Sequence, residues 1–320
     1  MKSQSHPHEE HEHSEGHEHG HHKSGHAHAP KDFNRAFAIG VFLNLTLVVA
    51  QAIFGVIAHS LALVADAGHN FADVLGLLLA WWAGRLVKSI PTKKHTYGLR
   101  GASILAALAN AVLLLVTMGA VAWEAIIRLE HPQQVEGKIV IGIAALGIVV
   151  NGVSALLFFS GRKGDLNVRG AFLHLAADAG ISVGVVLAGL AIVLTGKLWI
   201  DPVVSLVIVA TILYGTWGLL KDSINLSLQA VPENVDLDAV ERFLKTLPAV
   251  AEVHDLHIWA MSTTQVALTV HLVMRPAKVD DSFLANAAKE LEHNFGIEHA
   301  TIQVEAGDGS KCRLAPHDRV

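Results

Sequence analysis

Residues 60–73 read Ser60-Leu-Ala-Leu-Val-Ala-Asp-Ala-Gly-His-Asn-Phe-Ala-Asp73 and place His69 and Asp73 four positions apart inside a long apolar segment. The same His-x-x-x-Asp spacing returns at His174 and Asp178 inside another apolar segment. Residues four apart lie on one face of an α-helix, so each pair would present one imidazole and one carboxylate. Two such helices facing each other would offer two nitrogen and two oxygen ligands, which suit a tetrahedral Zn²⁺ site.

The composition indicates a membrane protein. Of the 320 residues, 52% are hydrophobic and 17% charged, and the mean hydropathy is +0.42. A soluble domain is rarely so apolar, and a membrane-spanning helix needs about 20 apolar residues. An all-α bundle of six transmembrane helices is therefore predicted, at Phe33–Ile57, Leu61–Leu86, Ala102–Ile127, Ile139–Ser160, Ala171–Leu194 and Pro202–Leu220.

Lysines and arginines in the short loops predict the orientation, because they accumulate on the cytoplasmic side. The connections after the second and fourth segments hold eight of them, Arg85, Lys88, Lys93, Lys94, Arg100, Arg162, Lys163 and Arg169. The opposite loops hold three, Arg128, Lys138 and Lys197. We expect a multi-pass protein of the plasma or inner membrane with both termini in the cytoplasm. The net charge of −5 gives no indication of a nucleic-acid partner.

Four regions are predicted along the chain. Residues 1–31 hold ten of the 21 histidines and almost no bulky apolar side chain, so we expect a disordered tail that binds metal weakly. Residues 32–222 form the transmembrane part. Residues 232–306 have the pattern of a small cytoplasmic α+β domain, and residues 307–320 are expected to be disordered.

The α+β domain is predicted to have the order αββαβ and a ferredoxin-like architecture. Helical spacing runs from Val235 to Leu247 and from Asp281 to Asn294, where Gly296 follows. Three strand-like stretches lie at Ala251–Met261, Gln265–Met274 and Thr301–Glu305.

The paired motifs favour a transition metal. Hydrogen bonding between helices could explain one buried His and Asp pair. Two identical pairs are harder to explain in that way, because ionisable groups are costly inside a membrane. The absence of sulfur disfavours Cu⁺, and too few oxygens are present for Mg²⁺ or Ca²⁺. Zn²⁺ fits best, with Cd²⁺, Co²⁺, Ni²⁺ or Fe²⁺ as alternatives.

The same residues suggest exchange of metal for protons. A histidine with a pKa of about 6.5 must lose its proton to bind metal, so the two ions compete for one site. If that site opened alternately to each side, protons could drive the metal outward. A passive divalent-metal channel or a membrane metal sensor is the nearest alternative.

An enzyme is not predicted. The two membrane aspartates could in principle form an aspartyl hydrolase dyad, or the histidines could hold a catalytic zinc. However, the apolar segments contain neither His-Glu-x-x-His nor Gly-x-Gly-Asp. Four protein ligands would also leave no position for a catalytic water.

Further motifs accompany the two pairs: His95-Thr-Tyr-Gly-Leu-Arg100, Arg169-Gly-Ala-Phe-Leu-His-Leu-Ala-Ala-Asp178, Trp199-Ile-Asp-Pro202 and Val253-His-Asp-Leu-His-Ile-Trp259. With residues 60–73, they make the chain resemble the cation diffusion facilitator family, in particular its zinc-exporting branch, from residue 33 to about 306. The resemblance implies six helices, a cytoplasmic αββαβ domain, a homodimer and proton-coupled efflux. It also implies that the transport site consists of His69, Asp73, His174 and Asp178.

Other sites of the family transfer less completely. A regulatory metal site in the cytoplasmic domain would map onto His254, His271 and Glu305, with Gln303 where some members have histidine. Strand alternation would free His271 for such a role but does not show that His254 meets it. A loop site would include His95, but Leu99 stands where those members have another histidine. Alternatively, the histidines of both sites are ordinary surface residues that bind no metal.

Several polar residues are expected to support the transport site or to pack between helices. Asn44, Asn151 and Asp66 could hydrogen-bond to the metal ligands from behind, and Asp66 could also guide ions outward or cap a helix. Asp201 is predicted to cap its own helix, with Pro202 at the first helical position. Cys312 is the only cysteine, so neither a disulfide framework nor a thiolate metal site is expected within one chain.

Overall fold

The computed structural model describes residues 33–159, 166–275, 280–306 and 312. The predicted disordered tail at 1–31 lies outside the described residues, as does the predicted tail at 307–320 except for Cys312. Six consecutive helices come first and a small α+β unit follows, as predicted. The six helices are α1 (Phe33–Ile57), α2 (Leu61–Val87), α3 (Ala102–Glu130), α4 (Gly137–Phe159), α5 (Leu166–Thr195) and α6 (Ile200–Ser227).

The helices pack around an apolar core and expose apolar side chains outward. One buried cluster contains a residue from each of α2 to α6, namely Leu63, Met118, Val140, Val185 and Ile208. Many large apolar side chains, such as Leu105 and Leu187, remain on the outer surface. Among the described residues, α2, α3, α4, α5 and α6 contain spans long and apolar enough to cross a membrane, and the described apolar part of α1 covers Phe42–Ile57. A bundle that is apolar on both its inner and outer faces is the arrangement expected in lipid.

Small residues allow α4 and α5 to pack closely. A Cβ atom added at Gly137 would lie 2.8 Å from Val193 Cγ2 and 3.0 Å from the Gly189 carbonyl oxygen. A Cβ atom added at Gly189 would lie 2.9 Å from Ile141 Cγ1. Glycine at both positions therefore brings the two backbones together, as is common between membrane helices.

The C-terminal unit has the predicted αββαβ order. It consists of α7 (Leu237–Thr246), β1 (Val250–Ala260), β2 (Val266–Met274), α8 (Asp281–Phe295) and β3 (Ile297–Ala306). The sheet order is β1-β2-β3, where β1 and β2 pair antiparallel and β2 and β3 pair parallel across the α8 crossover. Its core contains the inward-facing Leu268, Val270 and Leu272 of β2 together with Val240 and Leu291 of the helices.

Several element ends differ from the predicted ones. Helix α6 continues past the predicted end at Leu220 to Ser227, because residues 221–227 include neither proline nor glycine to end it. Strand β3 begins at Ile297, before the predicted Thr301. The reason is Gly296, which ends α8 in a left-handed conformation (φ 67°) and turns the chain directly into the strand.

The loop between α2 and α3 contacts the C-terminal unit. The backbone N–H of Thr263, in the β1–β2 turn, donates a hydrogen bond to Ser103 Oγ at 3.1 Å. The rings of Tyr97 and His299 meet edge to face, with centroids 5.4 Å apart. This loop, which carries four of the basic residues used to predict the orientation, is therefore on the same side of the bundle as the C-terminal unit.

Candidate metal centre

The two His-x-x-x-Asp pairs meet inside the bundle, where α2 faces α5. His69 Nε2 lies 3.5 Å from Asp73 Oδ2 on its own helix and 3.4 Å from Asp178 Oδ1 on α5. His174 Nε2 lies 3.6 Å from Asp178 Oδ2 on its own helix and 3.2 Å from Asp73 Oδ2 on α2. The imidazole rings are edge to face, with centroids 5.8 Å apart. Each imidazole therefore faces both carboxylates.

The nitrogen to oxygen separations are close to those in a tetrahedral zinc site. Zn–N and Zn–O bonds of about 2.05 Å give neighbouring ligand atoms in a tetrahedron a separation of roughly 3.3 Å. The four nitrogen to oxygen distances lie between 3.2 and 3.6 Å. One atom each from His69, His174 and Asp178 also lie within 4.8 Å of one another. Asp73 is not part of that group, so binding a cation with all four ligands would require the Asp73 carboxylate to move closer to the other three.

The site is buried on one side and open on another. The Asp178 side chain is 2% exposed and that of His69 13%, whereas the His174 side chain is 47% exposed. His69 Nδ1 is buried and has no hydrogen-bond partner among the described residues. An ion could therefore reach the ligands past His174, while Asp178 holds its charge away from solvent.

A second polar cluster lies one helical turn from this site, around Asp66. The Asp66 side chain is fully buried and accepts hydrogen bonds from Gln51 Nε2 of α1 at 2.5 Å and from Ser182 Oγ of α5 at 3.4 Å. Asn70 Nδ2, one turn along α2, donates to Asp66 Oδ1 at 3.4 Å and to Gln51 Oε1 at 3.2 Å. Of the roles expected for Asp66, the structure therefore shows interhelical hydrogen bonding.

Three members of this cluster, Gln51, Asn70 and Ser182, are not predicted from the sequence. Asn70 follows Asp66 by four positions and Ser182 follows Asp178 by four, so helical spacing could have linked both to the paired motifs. Gln51 gave no such signal, because its role depends on α1 packing against α2. Helix α4 closes the cluster at Gly147, where an added Cβ atom would lie 2.8 Å from Ser182 Oγ.

Asn44 and Asn151 have unsatisfied polar atoms. Asn151, on α4 one turn after Gly147, is fully buried, and both polar atoms of its amide have no partner among the described residues. Asn44 Oδ1 is likewise buried without a partner in that part of the chain. Neither side chain forms a described hydrogen bond to a metal ligand, so their predicted supporting role stays a prediction.

The predicted role of Asp201 as a cap of its own helix is wrong. Helix α6 begins at Ile200, so Asp201 lies inside its first turn. Its carboxylate instead accepts hydrogen bonds from Ser60 Oγ at 2.6 Å and from the backbone N–H of Leu61 at 2.8 Å, and a longer one from Ala62 at 3.4 Å. Asp201 therefore caps the beginning of α2, where a negative charge complements the helix dipole.

A second group of potential metal ligands lies in the C-terminal unit. The antiparallel register places His254 of β1 opposite His271 of β2, with ring centroids 5.1 Å apart. Both side chains are buried, and both contact Glu305 of β3: His254 Nε2 lies 3.2 Å from Oε2 and His271 Nδ1 lies 2.8 Å from Oε1. The structure thus brings together the three residues that the resemblance identified.

Cys312 joins this group. Its Sγ lies 3.6 Å from His271 Nδ1, and one ligand atom each from His254, His271, Glu305 and Cys312 lie within 4.8 Å of one another. Burial alone would raise the pKa of the Glu305 carboxyl, but hydrogen bonds from Cys312 and His271 hold that pKa below its ordinary value. One cysteine sulfur therefore lies close to this group, although the sequence predicts no thiolate metal site within one chain.

Asp255 and His257 lie beside this group on an irregular part of β1. The pairing of β1 with β2 shifts register between His254 and His257, and Asp255 has a positive φ of 50°. Asp255 Oδ2 lies 3.4 Å from His271 Nε2, and Asp255 Oδ1 lies 3.0 Å from His257 Nε2. Asp255 therefore faces the ring nitrogen of His271 that points away from Glu305.

His95 remains apart from both groups. It lies in the exposed loop between α2 and α3, where its backbone N–H donates to Thr92 Oγ1 at 3.1 Å. Neither of the two ligand groups found among the described residues includes it. Its predicted metal role stays a prediction.

Family comparisons cover almost all of the described chain. Residues 37–226 match the family described as the cation efflux transmembrane domain. Residues 232–307 match the family described as the cytoplasmic domain of cation efflux proteins. The boundary between the two matches falls just after α6.

Curated relatives match over most of their length. The zinc transporter ZitB of Escherichia coli (strain K12) is 37% identical over 90% of this chain and 93% of its own. The cation efflux system protein CzcD of Alcaligenes sp. (strain CT14) is 36% identical over 90% of this chain and 92% of its own. The cadmium, cobalt and zinc/H(+)-K(+) antiporter of Bacillus subtilis (strain 168) is 34% identical over 85% and 89%.

One solved structure matches a part of the chain. It is the metal-bound C-terminal domain of the CzcD transporter from Cuprividus metallidurans, which is 40% identical to this chain. The match covers 22% of this chain and 99% of that one, with a TM-score of 0.21.

Proposed function

The chain belongs to the cation efflux family, and we propose that it exports Zn²⁺ from the cytoplasm in exchange for protons. As a member of this family it is a membrane-embedded transporter of divalent metal cations and not an enzyme. The proposal adds the preferred ion, the counter-ion and the residues that bind them.

The observation that carries the proposal is the meeting of His69, Asp73, His174 and Asp178. Each imidazole nitrogen lies 3.2 to 3.6 Å from an oxygen of both carboxylates, which is close to the ligand spacing around zinc, and two carboxylates balance the charge of a divalent cation. Two imidazoles favour borderline ions over Mg²⁺ and Ca²⁺, which prefer oxygen. Cd²⁺, Co²⁺, Ni²⁺ and Fe²⁺ share enough of this preference to be alternative substrates. The relatives named as zinc transporter and as cadmium, cobalt and zinc antiporter support this range.

Proton exchange follows from the ligand chemistry. An imidazole that binds a metal must be unprotonated, and a carboxylate that has taken up a proton binds a cation weakly. When the site faces the side with the higher proton concentration, protons therefore displace Zn²⁺ from the two pairs. When it faces the cytoplasm, Zn²⁺ displaces those protons, and the cycle can repeat.

The sidedness is part of the proposal. Ser103, which directly follows the basic loop between α2 and α3, accepts a hydrogen bond from Thr263 of the C-terminal unit. The basic loop and the C-terminal unit would therefore both lie on the cytoplasmic side. At the opposite end of the bundle, the α1–α2 connection meets the end of α3, where Arg128 Nη1 donates to the His59 carbonyl at 2.6 Å. With an even number of spans, both termini would then be cytoplasmic, in the plasma or inner membrane.

The residues around the transport site would hold its geometry. Asp66 would fix α2 against α1 and α5 through Gln51 and Ser182. An amide buried without a partner costs about 1–3 kcal/mol, so Asn151 would be expected to gain a partner at some stage of the cycle. Asn44 would act in the same way on α1.

Regulation is proposed for the cytoplasmic domain. A site made of His254, His271 and Glu305 would bind metal when the cytoplasmic Zn²⁺ concentration is high. His95 would bind metal only together with ligands from outside the two ligand groups. The chain would function as a homodimer, as the family resemblance implies. No step of the proposed transport involves nucleic acid.

The test is metal-dependent proton flux in proteoliposomes that contain the full chain. With an outward-directed Zn²⁺ gradient or an opposing proton gradient, the wild-type protein should move Zn²⁺ and protons in opposite directions, including uphill for Zn²⁺. Asp178→Ala should abolish both fluxes, because it removes the most buried ligand. Asp238→Ala, which removes an exposed carboxylate from α7, is the matched control and should transport normally.

The same experiment separates the alternatives. A passive channel would conduct Zn²⁺ only down its gradient, and a membrane sensor would move none. Zinc flux without counter-movement of protons would contradict the exchange. Normal flux in Asp178→Ala, with the variant correctly folded, would contradict the assignment of the site.

A further inference from the structure

The cysteine near the C-terminus lies where a metal ligand is missing. In the cytoplasmic domain, His254, His271 and Glu305 offer three ligands on three neighbouring strands. A structural zinc site in a protein is almost always closed by four ligands. Cys312 lies outside the sheet, after β3, and its sulfur lies within 4.8 Å of a ligand atom of each of these three residues.

The contacts around His271 Nδ1 are those expected of ligands that converge on a common centre. Glu305 Oε1 lies 2.8 Å from this nitrogen, Gln303 Nε2 lies 3.4 Å away, and Cys312 Sγ lies 3.6 Å away. An imidazole nitrogen carries either one hydrogen or one lone pair, so it can satisfy only one of these groups well by hydrogen bonding. A cation between them would be shared by all the ligand atoms at once.

The distances also fit a thiolate ligand. With a Zn–S bond of about 2.3 Å and a Zn–N bond of about 2.05 Å, tetrahedral geometry places sulfur and nitrogen roughly 3.5 Å apart. The observed distance from Cys312 Sγ to His271 Nδ1 is 3.6 Å. The charges balance as well, because one carboxylate, one thiolate and two neutral imidazoles neutralise a divalent cation.

We propose that Cys312 is the fourth ligand of a His₂-Glu-Cys site for Zn²⁺ or Cd²⁺ in the cytoplasmic domain. Binding releases the thiol proton and forms a metal–sulfur bond, and the chain after β3 is thereby fastened to the sheet. A thiolate favours Zn²⁺ and Cd²⁺ over the oxygen-preferring Mg²⁺ and Mn²⁺. This inference rests on the proposed regulatory site and makes that site selective for soft and borderline ions.

The single cysteine makes the test specific. Co²⁺ is the probe, because a cobalt–thiolate bond gives an intense near-ultraviolet charge-transfer band that nitrogen and oxygen ligands do not give. Cys312 is the only cysteine in the sequence, so such a band can come from no other residue of the chain. The full-length protein is titrated in detergent under reducing conditions, beside Cys312→Ser, His271→Ala and the exposed control His293→Ala.

We expect the band in the wild type and in His293→Ala and its loss in Cys312→Ser and His271→Ala. Added Zn²⁺ should remove the band by displacing Co²⁺. Zn²⁺ at ten times its dissociation constant should also slow alkylation of Cys312 roughly tenfold, by mass action, and His271→Ala should abolish that protection. Absence of the band in the wild type at saturating Co²⁺, or its persistence in His271→Ala, would overturn the proposal.

The outcome is independent of the transport proposal. The transport site contains no sulfur, so Asp178→Ala should lose flux and keep the charge-transfer band. A missing band with normal exchange of Zn²⁺ for protons would therefore refute only the role of Cys312. A band without any exchange would refute only the transport mechanism.

Discussion

At the scale of single residues, each ligand of the proposed transport site has a distinct environment. Asp178 is almost fully buried, whereas His174 is about half exposed. His69 lies between the two carboxylates, 3.4 and 3.5 Å from them. An ion that enters past His174 would therefore be held most firmly by His69 and Asp178, which are the more buried ligands. Because His69 is one of these two, the residue at position 69 should influence which metals are accepted.

Replacing His69 by aspartate should change selectivity more than it changes folding. The site would then offer one imidazole and three carboxylates, which favours ions that accept oxygen ligands. We expect transport of Mn²⁺ relative to Zn²⁺ to rise by about tenfold, which corresponds to roughly 1.4 kcal/mol. Proton flux in proteoliposomes with each metal measures this ranking, and His131→Asp, in an exposed loop, is the control. An unchanged ranking would show that position 69 does not select the metal.

At the scale of elements, the beginning of α2 depends on α6. Ser60 caps α2 by accepting from the Leu63 N–H at 3.3 Å, and it donates in turn to Asp201. Asp201 also accepts from the backbone N–H groups of Leu61 and Ala62. Because α2 carries both His69 and Asp73, the Asp201 carboxylate helps to set the height and rotation of two ligands.

Removing this carboxylate should weaken the packing of α2 against α6. Asp201→Ala leaves one hydroxyl and two backbone N–H groups without their buried acceptor, at a cost of about 2–4 kcal/mol. We expect a lower thermal unfolding temperature in detergent and faster hydrogen exchange at the first turn of α2, with Asp201→Asn intermediate. Asp222→Ala, near the other end of α6, serves as the comparison. Equal stability of Asp201→Ala and the wild type would contradict the capping role.

Helix α8 offers a prediction about pH. The side chain of Asp280 caps it by accepting from the Phe283 N–H at 3.0 Å. Hydrogen bonds from the Ser282 hydroxyl and the Phe283 N–H lower the pKa of Asp280 below its ordinary 3.8. A carboxyl whose pKa is lowered on folding stabilises the folded state above its ordinary pKa, and this contribution is lost as the pH falls through the lowered value.

The unfolding temperatures of the wild type and Asp280→Ala should therefore differ most above pH 5. As the pH falls below about 3.8, the value for an ordinary aspartate, this difference should shrink, because protonation removes the charged cap from the wild type. Hydrogen exchange of the α8 amides reports the change locally in the full chain. Glu252→Ala removes an exposed carboxylate from β1, and the difference between its unfolding temperature and that of the wild type should not shrink in this way. A difference that grew on acidification would have the wrong sign for this cap.

At the scale of the whole molecule, the two proposed metal sites are linked through the region between α2 and α3. Tyr97 and Ser103 of this region contact His299 and Thr263 of the cytoplasmic domain. The same loop continues from α2, which carries two of the four transport ligands. Rearrangement of the cytoplasmic domain on metal binding would thus have a direct mechanical route to the transport site.

The histidine-rich region at 1–31 should assist transport without being essential. Its histidines would bind Zn²⁺ weakly and release it quickly near the cytoplasmic entrance. Deleting these residues is expected to raise the Zn²⁺ concentration for half-maximal transport a few-fold while the maximal rate changes little. A chain in which the same histidines are replaced by serine controls for length. Complete loss of transport on deletion would assign this region an essential role.

Local sequence patterns were sufficient to predict the fold class and the four residues that meet in the proposed transport site. Helical spacing fixes which side chains share a face, so His69 with Asp73 and His174 with Asp178 could be paired from local positions alone. Apolar runs of sufficient length predicted six helices, and turn residues such as Gly296 marked the end of α8. These are short-range properties of the chain, and they do not depend on which elements later become neighbours.

Only the tertiary structure decided the contacts between distant positions. Asp201 caps α2 and not its own helix, because α6 begins two residues earlier than predicted and packs beside Ser60. His254 meets His271 because of the register between β1 and β2, and Cys312 reaches both only after the chain has passed through β3. Gln51 joins Asp66 through helix packing. No local pattern encodes such pairings, since each depends on how separate elements come together.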